Sequence, residues 1–118
     1  MVVDDERDVL DVTEMSIEQC GYHVESFSDP RAALQRFKQS PEEFSLVLSD
    51  IRMPVLDGIA FSQELLKIKS NVKILLMTAF DIDAYIFNKL PTIRKEDVVR
   101  KPFLLQDLCK TVNQRLKR

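Results

Sequence analysis

The feature that most constrains the fold is a set of short apolar segments separated by amphipathic ones. The segments "FSLVLS" (44–49) and "VKILLM" (72–77) are mostly apolar, which is typical of strands buried on both faces of a parallel sheet. Further strands are predicted at 22–28 and 98–100, and 1–3 resembles a strand whose first residues are missing. Apolar residues at three- and four-residue steps predict helices between the strands. The predicted order is therefore βαβαβαβαβα.

Capping residues and apolar stripes locate the five predicted helices. Gly21 ends the first helix, Asp29 and Pro30 begin the second, Ser40-Pro41 ends it, and Pro91 breaks a short fourth helix. The first helix covers about 6–20 and the third 58–69. The residues expected to face inward are Val9, Leu10, Val12, Ile17 and Cys20; Ala33, Leu34 and Phe37; Phe61, Leu65 and Ile68; Ile82, Ile86 and Leu90; and Leu105, Leu108, Cys109, Val112 and Leu116.

Helices that connect parallel strands restrict the architecture. Because such crossovers are right-handed, the predicted fold is α/β, a doubly wound five-stranded parallel sheet covered by five helices. A chain of 118 residues that is 45% hydrophobic suits one compact domain. We therefore expect one domain over residues 1–118.

Charge and cysteine content narrow the possible environments and partners. A net charge of -2, from 17 basic and 19 acidic residues, gives no global argument for binding nucleic acid or a membrane. The longest apolar run is far too short to span a bilayer, and no signal peptide precedes the first acids, so a soluble cytoplasmic protein is expected. Cys20 and Cys109 match no metal or redox motif, and we expect both to be reduced core residues.

Five polar side chains follow or end the predicted strands: Asp4, Asp5, Asp50, Thr78 and Lys101. Each has an ordinary explanation, because acids cap helices, a Thr can end a strand and a lysine can be solvated. However, an acid that ends an apolar strand, as Asp50 does, is costly unless it is paired. The carboxyl ends of parallel strands share one edge, where open α/β folds bind ligands. Together the five residues therefore predict a site.

The chemistry available to this group of residues is narrow. Three crowded carboxylates repel one another and call for a cation, and a few hard oxygen ligands with retained waters suit Mg²⁺ better than Ca²⁺. One carboxylate can attack phosphorus and form an acyl phosphate. The hydroxyl of Thr78 and the ammonium of Lys101 can donate hydrogen bonds to phosphoryl oxygens. The residues thus predict Mg²⁺-assisted acceptance of a phosphoryl group.

The segments "VVDDE", "SDIRMPVLDG", "MTAF" and "RKPF" occur in this order, and with them the chain resembles the receiver domain of two-component response regulators along essentially its whole length. The resemblance implies a flavodoxin-like strand order of 2-1-3-4-5. It implies that Asp50 is the phosphoacceptor. It also implies that Mg²⁺ is bound by Asp50, by the acidic pair Asp4 and Asp5, and by the main-chain carbonyl of Arg52. It also implies Thr78 as the switch hydroxyl and Lys101 as the phosphate-binding lysine, with a cis bond to Pro102.

The resemblance implies a signalling domain that is not an enzyme acting on external substrates. A sensor histidine kinase or phosphotransfer protein would supply the phosphoryl group, and an unknown output protein or domain would respond. Direct binding to nucleic acid or membrane is not expected, and a homodimer through the fourth helix, fifth strand and fifth helix is an option.

Some residues depart from the family pattern or extend it. Val98 occupies a position where many members carry Tyr or Phe, so no ring can turn there, and Pro91 is expected to shorten the fourth helix. Arg52 and Phe80 flank the expected path of attacking water, and we expect them to set the lifetime of the acyl phosphate.

Three alternatives belong to other functional classes. A phosphatase of the haloacid dehalogenase type needs a second acid two residues after the first, where this chain has Arg52. A flavin or nucleotide binder usually needs a glycine-rich loop, and the chain contains only Gly21 and Gly58. A receiver that binds proteins without phosphate is disfavoured by the intact set of site residues, although Val98 leaves it open.

Overall fold

A computed structural model describes residues 1–80 and 84–117 of the chain. Within them one parallel sheet has the order β2-β1-β3-β4-β5, as expected for a doubly wound, flavodoxin-like fold. The strands are β1 (Val2–Val3), β2 (Ser26–Phe27), β3 (Val47–Asp50), β4 (Ile74–Thr78) and β5 (Val98–Arg100). The helices are α1 (Arg7–Gln19), α2 (Pro30–Gln39), α3 (Gly58–Ile68), α4 (Ala84–Lys89) and α5 (Leu105–Lys117).

The sheet is covered on both faces because successive side chains of each strand point in opposite directions. Val3 and Leu76 belong to a core cluster with residues of α2, α3 and α4. Their neighbours Val2 and Leu75 belong to a second cluster with residues of α1 and α5. The mostly apolar strands seen in the sequence therefore fill two hydrophobic layers.

The predicted helix boundaries are confirmed where a specific residue caps the helix. The Asp29 side chain accepts a hydrogen bond of 2.9 Å from the backbone N–H of Arg31 at the start of α2. Gly21 follows α1 with a φ of 96°, the left-handed conformation that glycine adopts without a steric penalty. The fourth helix ends at Lys89, two residues before Pro91.

Two sequence predictions about packing were wrong in part. On α1, Leu10 and Ile17 are buried, but Val12 is 59% exposed and the polar Thr13 lies inside instead. On α5, Leu108 and Val112 are buried as predicted, but Leu105 is 41% exposed. The second strand was predicted over residues 22–28, and only Ser26–Phe27 pair with β1, although Val24 still packs into the core. The predicted inward position of Ile82 lies outside the described residues.

The prediction of two reduced core cysteines was also wrong. Cys20 and Cys109 form a disulfide, and both residues are only partly buried. Because α1 and α5 lie side by side on one face of the sheet, the two Cα atoms come within 5.8 Å, a separation that permits a disulfide. The two cysteines are 89 residues apart, and no local pattern indicated the pairing. None of the helices in the described ranges is both long and apolar enough to cross a lipid bilayer.

Candidate functional site

The carboxyl ends of the strands bring together the polar residues that the sequence singled out. Asp4 and Asp5 follow β1, and Asp50 ends β3. One carboxylate oxygen from each of these three acids lies within 4.8 Å of the others. Lys101, which follows β5, places its Nζ atom 2.9 Å from Asp4 Oδ2 and 3.3 Å from Asp50 Oδ1.

Asp4 is held in place by backbone contacts as well as by Lys101. Its backbone N–H donates to the carbonyl of Phe27 at 3.1 Å, which continues the pairing of β1 with β2. Its Oδ1 atom accepts a hydrogen bond of 3.0 Å from the backbone N–H of Glu6. Because the side chain is fully buried, these bonds and the Lys101 ammonium offset the cost of removing the carboxylate from water.

Asp5 supplies the observation that favours a bound cation. The Asp5 side chain is partly exposed, but its Oδ1 atom is shielded from solvent and has no hydrogen-bond partner among the described residues. A buried acceptor without a partner is expensive, and a cation beside it would remove that cost. Three carboxylates with a free acceptor on one of them fit a divalent ion that prefers oxygen ligands.

The charge of Asp50 is tuned by its surroundings. Burial raises the pKa of Asp50 to about 6 from an ordinary value of 3.8; the ammonium of Lys101 opposes this shift, and the charge of Asp4 adds to it. For Lys101, burial acts to lower the pKa, but the hydrogen bonds and charges of Asp4 and Asp50 together raise it above its usual value. Lys101 is therefore a firmly charged partner of a carboxylate that titrates close to neutrality.

Thr78 ends β4 next to Lys101, and its hydroxyl bonds to Phe80 two residues later. Its Oγ1 atom accepts a hydrogen bond of 3.0 Å from the backbone N–H of Phe80 and lies 3.4 Å from the carbonyl oxygen of Phe80. The carbonyl of Thr78 accepts from the backbone N–H of Lys101 at 2.7 Å. Thr78 therefore contacts both Lys101, which follows β5, and Phe80, which follows β4.

Arg52 and Phe80, which follow β3 and β4, contact each other. The guanidinium carbon of Arg52 lies 3.9 Å from the centre of the Phe80 ring, a cation–π arrangement. Both residues line a cavity that also borders Thr78. The sequence identified each residue separately and did not predict their contact. The metal-binding role of the Arg52 carbonyl stays a prediction.

The sequence did not reveal how tightly the loop after β3 folds back. A Cβ atom at Gly58 would lie 2.2 Å from the carbonyl oxygen of Asp50, so only glycine fits there. The N–H of Gly58 donates to the carbonyl of Ile51 at 2.7 Å, and the side chain of Asp57 accepts from Ala60 at 2.8 Å. Asp57-Gly58 is the predicted turn and helix entry, but Gly58 also allows α3 to approach the end of β3.

Two further expectations from the sequence concern Pro102 and Val98. The bond between Lys101 and Pro102 is cis, as the resemblance implied. Val98 is buried and packs in the same core cluster as Ile86 and Leu90, so its side chain belongs to the core beneath α4.

Comparison with known proteins agrees with this geometry. A family model described as the response regulator receiver domain matches residues 1–113. The response regulator receiver protein CpdR of Brucella abortus is 32% identical over 116 residues, which cover 98% of this chain and 94% of that protein. The alkaline phosphatase synthesis transcriptional regulatory protein PhoP of Bacillus subtilis is also 32% identical, but the chain spans only 48% of its length.

A solved structure shows the same fold. The crystal structure of a response regulator receiver domain protein from Clostridium thermocellum superposes with a TM-score of 0.85 at 27% identity. The match covers 99% of this chain and 92% of that one.

Proposed function

This chain belongs to the response regulator receiver family, whose members are signalling domains, and from that premise we propose that Asp50 accepts a phosphoryl group with the help of Mg²⁺. The observation that carries the proposal is the shared environment of the acids. Lys101 contacts both Asp4 and Asp50, while Asp5 keeps a buried oxygen without a partner among the described residues. Asp4, Asp5, Asp50 and the main-chain carbonyl of Arg52 would hold the ion.

Each residue of the site has a task in the transfer. A carboxylate oxygen of Asp50 attacks the phosphorus of a phosphohistidine, an oxygen–phosphorus bond forms, and the phosphorus–nitrogen bond breaks with its electron pair left on the imidazole. Lys101 donates to a phosphoryl oxygen, and Thr78 donates to another. When bound, Mg²⁺ would neutralise the crowded carboxylates and the incoming phosphoryl oxygens. The domain catalyses its own phosphorylation and dephosphorylation in this scheme.

The conformational response follows from the present bonds of Thr78. To reach a phosphoryl oxygen, its hydroxyl must exchange its contact with Phe80 for a bond that does not exist before phosphorylation. The loop after β4 then moves, and with it the start of α4. Val98 carries no ring that could turn, so we assign the response to residues 79–92.

The Arg52–Phe80 pair is proposed to control the lifetime of the acyl phosphate. Its stacked position beside Thr78 places a cation and a ring next to the expected approach of water. Variants that remove either side chain would then change the rate of dephosphorylation, with less effect on the rate of phosphorylation.

The wider setting is also part of the proposal. A sensor histidine kinase or phosphotransfer protein in the cytoplasm supplies the phosphoryl group, and an output protein or domain reads the altered surface. Residues 1–118 act as one receiver domain, without direct contact to nucleic acid or membrane. The surface of α4, β5 and α5 is the face on which a second copy would pair.

Incubation with acetyl phosphate, with and without Mg²⁺, tests the function. Mass spectrometry is expected to show Mg²⁺-dependent phosphorylation of the wild type, its loss in Asp50→Asn, and its retention in Asp57→Asn. Asp57 is a matched control because it lies in the same segment but caps α3. A label mapped to another residue in Asp50→Asn contradicts the assignment. Absence of any label on the wild type would favour a receiver that binds proteins without phosphate.

A further inference from the structure

A covalent link joins two helices on the face of the sheet that is covered by α1 and α5. Cys20 follows the last turn of α1, and Cys109 lies in the first half of α5. Their sulfur atoms form a disulfide between segments that are 89 residues apart in the sequence. We propose that this pair is a reversible redox site, oxidised and reduced in the folded domain, that locks α5 to α1 and frees it on reduction.

The surroundings of the two sulfur atoms suit both oxidation states. Both cysteines are only partly buried, so small thiols can approach them without unfolding of the core. The carbonyl oxygen of Ser16 lies 3.1 Å from the sulfur of Cys20 and 3.8 Å from that of Cys109. After reduction, this oxygen can accept a hydrogen bond from a thiol. The thiols of the reduced form therefore have a hydrogen-bond acceptor within reach.

The position of the disulfide gives it an effect on the domain beyond stability. α1 begins just beyond Asp4 and Asp5, and α5 begins just beyond Lys101. The Lys101–Asp4 ion pair joins these two segments near their starts, and the disulfide joins them again further along the helices. In the oxidised state α5 is thus tied to α1 at two separated points, which restricts any tilt of α5 relative to the sheet.

The chemistry balances with a small disulfide as the oxidant and a dithiol as the reductant. During oxidation, one cysteine thiolate attacks a small disulfide such as oxidised glutathione, and the second cysteine then displaces the remaining small thiol. The two cysteines lose two electrons and two protons, and the small disulfide gains them as it becomes two thiols. A dithiol such as dithiothreitol reverses the exchange and is itself oxidised to a cyclic disulfide.

Equilibration of the folded protein in glutathione buffers of different redox ratio tests the reversibility. Alkylation of free thiols followed by intact mass spectrometry is expected to show interconversion of a monomeric disulfide form and a dithiol form across these ratios. A protein that stays a dithiol in excess oxidised glutathione overturns the proposal. So does a disulfide that dithiothreitol cannot reduce in the folded state, or one that forms only between chains.

Hydrogen exchange and thermal unfolding test the coupling. Oxidation is expected to slow amide exchange in α5 at least tenfold while leaving α3 unchanged, and to raise the melting temperature by more than about 10 °C. The double variant Cys20→Ser/Cys109→Ser serves as the matched control, since without either thiol it should behave like the reduced wild type in both buffers. Equal exchange of α5 in the two redox states contradicts the lock. The site lies apart from the acids, so these outcomes are independent of whether Asp50 is phosphorylated.

Discussion

The two sides of the acid cluster are held in different ways. On one side, Asp4 and Lys101 form a buried ion pair, and the helices that follow them are joined by the Cys20–Cys109 disulfide. We call Asp4, Lys101, α1 and α5 the anchored flank. On the other side, residues 51–57 follow β3 as a loop, and residues 79 and 80 follow β4. We call these residues, together with Thr78 at the end of β4, the adjustable flank. The exposed Phe80 ring is held there by the Arg52 guanidinium, and the Thr78 hydroxyl bonds to the loop itself.

Under the proposed function, this contrast separates two tasks that one site would perform. Charges that must already be in place when a phosphoryl group arrives lie on the anchored flank, where they need little rearrangement. Groups that would respond to the new charge lie on the adjustable flank, where the Thr78 hydroxyl bonds to the loop and not to the acids. We infer that binding depends on the first flank and that the conformational signal depends on the second.

Loss of Lys101 should cause the largest loss of stability, because it removes the cation that holds the anchored flank together. Lys101→Met leaves Asp4 and Asp50 without their shared cation, and removal of one partner from a buried ion pair costs about 3–5 kcal/mol. Urea unfolding without metal measures this loss. Addition of Mg²⁺ should recover more stability in the variant than in the wild type, since the ion replaces the missing positive charge.

A surface lysine provides the control for that experiment. Lys67 pairs with Glu64 at 3.1 Å, but its side chain is 71% exposed, so Lys67→Met should cost less than about 1 kcal/mol. Similar losses in the two lysine variants, or equal gains from Mg²⁺ in Lys101→Met and the wild type, would show that the anchored flank is not held by its charges.

Asp50→Asn should stabilise the metal-free domain in a pH-dependent way. Because the pKa of Asp50 is raised to about 6 from 3.8, the folded state favours the protonated acid. That contribution is complete below about pH 3.8 and is lost as the pH rises through about 6. Asparagine stays neutral, so the variant should be more stable than the wild type by roughly 2–3 kcal/mol at pH 8 and by little at pH 4.

Denaturant unfolding at the two pH values, repeated with Mg²⁺, measures this difference. At pH 8 the ion should reduce or reverse the advantage of the variant, because it binds the ionised wild-type acid more tightly. A stability difference that does not change between pH 4 and pH 8 would contradict the raised pKa of Asp50.

The sequence predicted the charged residues of the site better than it predicted contacts between separate loops and helices. Asp4, Asp50 and Lys101 were predictable because each adjoins an apolar strand, and strand order alone brings strand ends together. The Arg52–Phe80 contact depends on how two loops fold, and no periodic pattern describes a loop. The disulfide was missed for a related reason: helix periodicity placed Cys20 and Cys109 on inward faces but could not give the distance between residues on two different helices.

Thr78→Ala tests the adjustable flank directly. The variant should still accept phosphate, more slowly or with an altered lifetime, because Asp50 and the proposed metal ligands remain. Its affinity for beryllofluoride should fall about tenfold, or about 1.4 kcal/mol, as one hydrogen bond to a charged group is lost. Most of the NMR shifts that beryllofluoride induces in residues 79–92 should also disappear.

Thr111→Ala is the matched control for this variant, because it removes a threonine hydroxyl that bonds only within α5, to the carbonyl of Asp107 at 2.9 Å. It should respond to beryllofluoride like the wild type. Absence of shifts at 79–92 in the wild type, or equal shifts in Thr78→Ala, would contradict the inference that the Thr78 hydroxyl drives the conformational response.

Val55→Asn should give the smallest change in stability. It tests whether the backbone of the adjustable flank is strained. Val55 has a φ of 72° and is 82% exposed. The left-handed conformation costs a β-branched residue roughly 1–2 kcal/mol, whereas asparagine tolerates it, and little buried apolar surface is lost. The variant should therefore be about 1 kcal/mol more stable in urea unfolding. Val12→Asn is the control, because Val12 is 59% exposed on α1 with ordinary helical geometry and valine and asparagine have similar helix propensities. If both variants change stability equally, the gain comes from replacing an exposed valine by a polar residue. The left-handed conformation at Val55 then adds no measurable strain to the loop after β3.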